Sequence, residues 1–264
     1  MSRRLIMILN DGGRANYLPG VEHDACNYLD FFHLPEGGLW EESEIQTYHN
    51  DCTLTLLSAY ILQERQREIE QHRELDYVVI VFCGHGYANA QGMTYFELSP
   101  GSEASLFQMK QAVKETRCLM IADSCRVIVL AEGGRIQDTR MFSRDTSDEN
   151  YRTECFRLYD AAFRQLNRGY FAIGMAASLG QSAGEDDKGG YYTQELLSTA
   201  KTLVKVKKVS RRTDANYNPV AKFPLIHALT RDKFIKQGKN GQIPDIQASL
   251  GLQAPFVVVA PDPT

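Results

Sequence analysis

At 264 residues, 43% of them apolar, the chain is long enough to bury one sizeable α/β core. A net charge of −4 gives no reason to expect a nucleic-acid or membrane partner. No apolar run reaches the roughly eighteen residues of a membrane span. Arg3 and Arg4 precede only the short run Leu5 to Leu9, too brief for a secretory leader, so a cytoplasmic setting is expected.

Leu5 to Leu9 reads as a first buried strand, closed by Asn10, Asp11, Gly12 and Gly13. A helix follows, with Val21, Ala25, Tyr28, Leu29 and Phe32 at helical spacing and Asp24 near its start, outside the apolar stripe. Glu44 to His49 predicts a second strand, and Asp51 a cap for a helix from Cys52 to about Arg73. Tyr77 to Cys83 is a continuous Val- and Ile-rich strand that stops at Gly84. Gln91 to Leu98 reads as a hairpin, Ser105 to Thr116 as a helix and Leu119 to Ala122 as the next buried strand. This alternation of strand and helix implies parallel pairing with right-handed crossovers.

Residues 127–166 are polar and expected to form a mobile loop, with helical character only over Asn150 to Leu166. Tyr170 to Ala177 predicts a fifth strand, followed by the segment SLGQSAGEDDKGG and a helix over Tyr191 to Lys201. Beyond it the basic stretch Lys205, Lys207, Lys208, Arg211 and Arg212 reads as a solvated helix end or loop. Phe256 to Ala260 is expected to be the last strand. The chain is read as one domain, 1–264, whose part from 202 onward is the least recognisable.

Two strand exits carry chemistry. YVVIVFCGHG leaves His85 at its end and RCLMIADSCR leaves Cys125; if the strands are parallel neighbours, both side chains reach one sheet edge, where open α/β sheets bind ligands. Either residue alone reads as a strand-end histidine or an ordinary core thiol; as a pair at equivalent exits they read as a base and a nucleophile. The N–H groups of Gly86 and Cys125 are the candidate oxyanion hole, because glycine beside His85 lets backbone approach a carbonyl. A zinc reading of Cys83, His85 and Cys125 lacks the close paired spacing of structural sites, so no metal is expected. The other cysteines, Cys26, Cys52, Cys118 and Cys155, read as free thiols.

The glycine, His85, glycine run and the Asp123, serine, Cys125 run resemble the caspase-like cysteine proteases, the clan of caspases, metacaspases and paracaspases. The resemblance is nearest to metacaspases and their stand-alone bacterial relatives. Tyr17 to Ala25 is similar to a metacaspase signature, with Val21 and His23 as departures, and Gly180 to Glu185 matches more loosely. The resemblance implies a three-layer α/β/α caspase-hemoglobinase fold with a mainly parallel six-stranded sheet, and a catalytic dyad of His85 and Cys125. It places Asp24 and Asp123 in the substrate-binding pocket, where two carboxylates would pair with a cationic side chain and repel an acidic one. Cleavage after Arg or Lys is therefore expected, in protein or peptide substrates. The bland readings are helix capping for Asp24 and a strand-end turn for Asp123.

Glu185 and Asp186 read as a solvated loop rather than a pocket rim or the calcium site of some metacaspases; no cofactor is expected, with calcium left open. No prodomain is recognisable, so control is expected from the loop after Cys125, from a ligand or from an upstream activating protease. Arg135, Arg140, Arg144 and Arg152 lie in that loop and match the expected specificity, which makes them candidate self-cleavage sites. By resemblance, bacterial immunity or cell death is the expected setting. The competing reading is a catalytically silent caspase-like interaction module.

Overall fold

The computed structural model describes residues 2–13, 17–128, 148–210, 217–238 and 241–261. Strand β1 (Arg3–Asn10) leads into helix α1 (Gly20–His33), strand β2 (Ile45–His49), helix α2 (Leu54–Glu70) and strand β3 (Tyr77–Gly84). Three short strands follow, β4 (Gly86–Ala88), β5 (Thr94–Ser99) and β6 (Ser102–Ser105), then helix α3 (Leu106–Ala112) and strand β7 (Arg117–Asp123). Helix α4 (Glu149–Arg164) precedes strand β8 (Phe171–Met175), and the two-residue strands β9 (Glu185–Asp186) and β10 (Gly189–Gly190) precede helix α5 (Tyr191–Ser210). The chain closes with strand β11 (Val220–Lys222), helix α6 (Phe223–Gln237), strand β12 (Asp245–Ala248) and strand β13 (Pro255–Val258).

Six strands form the central sheet in the order β12-β8-β7-β3-β1-β2. All pairings are parallel except β12 with β8, so the expected mainly parallel six-stranded sheet is present. Alternation sends Leu5, Met7, Val79, Val81, Leu119 and Ile121 to one face, where α1, α4, α5 and α6 supply Phe31, Phe163, Leu196 and Phe234. Ile6, Ile8, Val78, Ile80, Phe82 and Met120 face the other way, toward Leu57 and Ile61 of α2 and Met109 of α3. Both faces are thus covered, which is why these strands read as unbroken apolar runs; each fully buried Val, Leu, Ile or Phe contributes about 1.5–3 kcal/mol.

Phe256 to Ala260 holds the last strand as expected, wholly buried, with β13 pairing antiparallel to β11 outside the central sheet. The structure corrects other expectations. The sixth strand of the central sheet is β12, whose sequence DIQA has no apolar run to announce it. Thr53, not Asp51, caps α2, its side chain accepting from the Leu56 N–H at 3.1 Å. The expected hairpin over Gln91 to Leu98 is a three-stranded sheet of β4, β5 and β6. Arg152 falls in the first turn of α4 rather than in a loop. Arg135, Arg140 and Arg144 lie outside the described residues. Among the described residues no helix is long and apolar enough to cross a membrane.

Candidate active site

β3 and β7 are parallel neighbours in register, Cys83 opposite Asp123, so the two exits lie level with one another. His85 and Cys125 consequently line the same small cavity, about 60 Å³, together with Asp24, Asp123, Ser124, Ala183 and Glu185. The sequence expectation that both side chains arrive at one sheet edge is met. Gly86 is a glycine for a steric reason: a Cβ there would sit 2.8 Å from Ser124 Oγ and 2.9 Å from the Cys125 carbonyl oxygen. Its backbone therefore runs directly against the turn that carries the thiol. The His85 carbonyl accepts from the Glu97 N–H of β5 at 3.0 Å, and the buried Asn10 amide donates to the Glu97 carbonyl at 2.7 Å. The histidine backbone is thus tied through β5 to the end of β1.

The Cys125 thiol is half-buried, and burial pushes its pKa up. The Ala183 N–H, 3.2 Å from Sγ, opposes that shift, while the Asp123 and Glu185 carboxylates add to it. Burial therefore favours the thiol over the thiolate.

Asp24 and Asp123 line the same cavity as the thiol. Asp24 is on the inner face of α1, 3% exposed among Val21, Ala25 and Tyr28, so it belongs to the buried stripe from which the sequence reading excluded it. Its Oδ1 accepts from the Gly190 N–H at 2.9 Å. Asp123 Oδ2 accepts from both the N–H and the hydroxyl of Thr193, at 2.9 and 2.7 Å. Burial drives both carboxyls above the ordinary range, Asp123 to about 6, and for Asp24 the Asp123 charge adds to the effect. The helix-cap and turn readings of these residues fail, since neither carboxylate caps its own helix or turn: Asp24 accepts from Gly190, 166 residues away in sequence, and Asp123 from Thr193, 70 residues away.

Glu185 was read as part of a solvated loop; the fold turns it inward instead. It lines the same cavity, with its carboxylate against Gly20 at the start of α1, and burial raises its pKa while the Gly20 N–H opposes the rise. Asp186 behaves as expected of a loop residue, accepting from the Lys188 N–H and the Gln194 amide. Sequence reasoning also missed Gln242, 5% exposed, whose Oε1 accepts from the Gly184 N–H at 2.9 Å and whose amide donates to the Ala176 carbonyl at 3.1 Å. Nothing in a lone glutamine after a glycine could have announced that. Asp11, Glu22 and His49 gather potential ligand atoms within 4.8 Å of one another, but none of them lines the Cys125 cavity, and Asp11 is held by the Gly13 N–H and the Asn50 amide.

A mainly parallel α/β sheet that brings a cysteine and a histidine to adjacent strand exits defines the class of caspase-like α/β proteins. The chain belongs to the caspase domain family, peptidase C14, whose family model matches residues 3–253. Its kind is therefore that of a cysteine peptidase acting on proteins. The fold is similar to that of caspase-1 from Spodoptera frugiperda in its crystal structure, with a TM-score of 0.54 at 11% identity, covering 93% of this chain and 85% of that one. No curated protein matches the chain in sequence.

Proposed function

We propose that the chain is an endopeptidase that cleaves after Arg, or Lys, with Cys125 as nucleophile and His85 as its base. The observation that carries this reading is the cavity shared by the thiol, the histidine and three carboxylates, Asp24, Asp123 and Glu185. In the reaction, His85 takes the thiol proton as sulfur attacks the scissile carbonyl. The N–H groups of Gly86 and Cys125 receive the oxyanion. His85 then returns the proton to the leaving amine, and water, deprotonated by His85, hydrolyses the thioester.

Among the described residues no Lys or Arg side chain lines the cavity of the three carboxylates, so a substrate guanidinium would supply a counter-charge. An Asp side chain would meet only repulsion. Regulation is proposed to act through residues 127–166, by self-cleavage or by an upstream protease. Of the candidate arginines there, Arg152 would need the first turn of α4 to unwind before a protease could bind it extended.

An arginyl chloromethylketone tests the whole reading. Wild type should be labelled on Cys125, Cys125→Ala should not, and an aspartyl analogue should label neither. Equal labelling by the aspartyl reagent would sink the specificity, and no labelling by either would sink the peptidase assignment.

A further inference from the structure

Arg126 follows the candidate nucleophile and is only 4% exposed. Its Nε donates to Thr94 Oγ1 at 3.0 Å, and one terminal nitrogen donates to the Ala177 carbonyl at 3.3 Å and to Asp245 Oδ2 at 2.9 Å. Its backbone joins the same loop: the Arg126 N–H donates to the Gln181 carbonyl and its carbonyl accepts from the Gly180 N–H, both at 2.9 Å. One residue therefore ties the nucleophile turn to β5, to the loop after β8 and to the first residue of β12.

The segment before β12 grips that loop from its other side. Ser178 Oγ donates to the Ile243 carbonyl at 2.8 Å and the Ile243 N–H donates to Gln181 Oε1 at 2.8 Å. Gln242 holds Gly184 and Ala176, as described above. The loop so fixed ends at Ala183, whose N–H points at Cys125 Sγ. A buried ion pair is weak evidence of stabilisation, because desolvation offsets the attraction. Here the desolvation is one-sided, since the Arg126 side chain is 5% exposed and that of Asp245 36%. Geometry is what the pair supplies.

We propose that Arg126 and Asp245 are positioning residues for the thiol: together they hold the Ala176 to Gly184 loop so that the Ala183 N–H stays on Cys125 and the nucleophile turn stays against Gly86. The proposal rests on the reading of Cys125 as nucleophile. It assigns a catalytic purpose to β12, the part of the chain that carries the least recognisable sequence.

The test alkylates Cys125 with iodoacetamide across pH, read by peptide mass spectrometry, in wild type, Arg126→Lys, Asp245→Asn and the apolar pair Arg126→Met/Asp245→Leu. Losing the Ala183 donor should move the alkylation profile of both single variants up by about one pH unit, hence about tenfold slower at pH 7. On an arginyl peptide, kcat should fall on the order of 10²-fold with KM changed less than about twofold. The apolar pair should recover thermal stability but not the alkylation profile or kcat. Wild-type profiles in folded single variants, or full recovery in the apolar pair, would overturn the proposal. Should an Arg126 variant fail to fold, Asp245→Asn, on the half-exposed partner, decides alone. Absence of turnover in wild type would count against the peptidase reading, whereas the alkylation profile judges the brace independently of it.

Discussion

Two polar groups share one sheet edge in this protein, and they are built in opposite ways. The Cys125 and His85 pair is local: two apolar strands run side by side in register and each simply ends, leaving its next residues at the rim. The acidic pocket is assembled from a distance, with Asp24 from α1, Asp123 from the end of β7 and Glu185 from the hairpin before α5. The difference bears on the proposed selectivity. Strand exits recur across open α/β sheets and can hold many chemistries. A cluster of three carboxylates raised by burial exists only because several elements converge, and it costs stability that a cationic ligand would return.

The sharpest way to separate the two groups is to damage one and read the other. Asp123→Asn keeps an acceptor for Thr193 while removing the charge that would meet a guanidinium. Loss of a buried charge-assisted pair costs roughly 2–4 kcal/mol, or about 30- to 1,000-fold in kcat/KM. The expected result on an arginyl fluorogenic peptide is that loss, with iodoacetamide alkylation of Cys125 within about twofold of wild type. Full efficiency in the variant would remove Asp123 from the pocket; a matching collapse in alkylation would mean that the two groups are one.

Gly190 offers a steric version of the same comparison. A Cβ there would lie 2.3 Å from Asp123 Oδ2 and 2.7 Å from its Cγ, and the Gly190 N–H is the donor to Asp24. Gly190→Ala should cost about 1–3 kcal/mol through overpacking and so raise KM by roughly 5- to 100-fold, with the thiol left reactive. Calorimetry and steady-state kinetics on the same preparation check it. An unchanged KM would show that the hairpin lies clear of the substrate.

The contrast also explains what the sequence could tell. β1, β3 and β7 were legible because burial on both faces leaves continuous apolar runs, and their endings exposed His85 and Cys125 without any tertiary knowledge. Asp24 and Asp123 were legible only through a resemblance, and even so Asp24 was put off the buried stripe that it occupies. Glu185 looked like one acid in a run of three, because its burial comes from Gly20 of α1, 165 positions earlier. β12 was invisible for a physical reason: a four-residue edge strand, with two residues partly buried and two exposed, needs no apolar pattern to pair with β8. Gln242 and Asp245 inherit that silence, although they hold the loop beside the thiol.

The smallest expected effect concerns protons, and it follows from the same convergence. Burial pushes the Asp123 carboxyl up to about 6 and shifts Asp24 and Glu185 upward as well, which favours retained protons in the ligand-free pocket at mildly acidic pH. A folded-state value above the unfolded one means that the native state binds more protons through this window. Stability of the empty protein should therefore fall as pH rises from about 4 toward 6 and beyond. A bound guanidinium reverses the preference by favouring the carboxylates, so binding releases protons and KM for an arginyl substrate should fall as pH rises through about 6. The fall is bounded at about tenfold per unit and per released proton. In Asp123→Asn that limb should flatten while any limb belonging to the thiol persists in kcat. A KM that is flat in wild type between pH 5 and 7 would mean that the pocket is already ionised when empty, and that its charge contributes to holding the hairpin rather than to choosing the substrate.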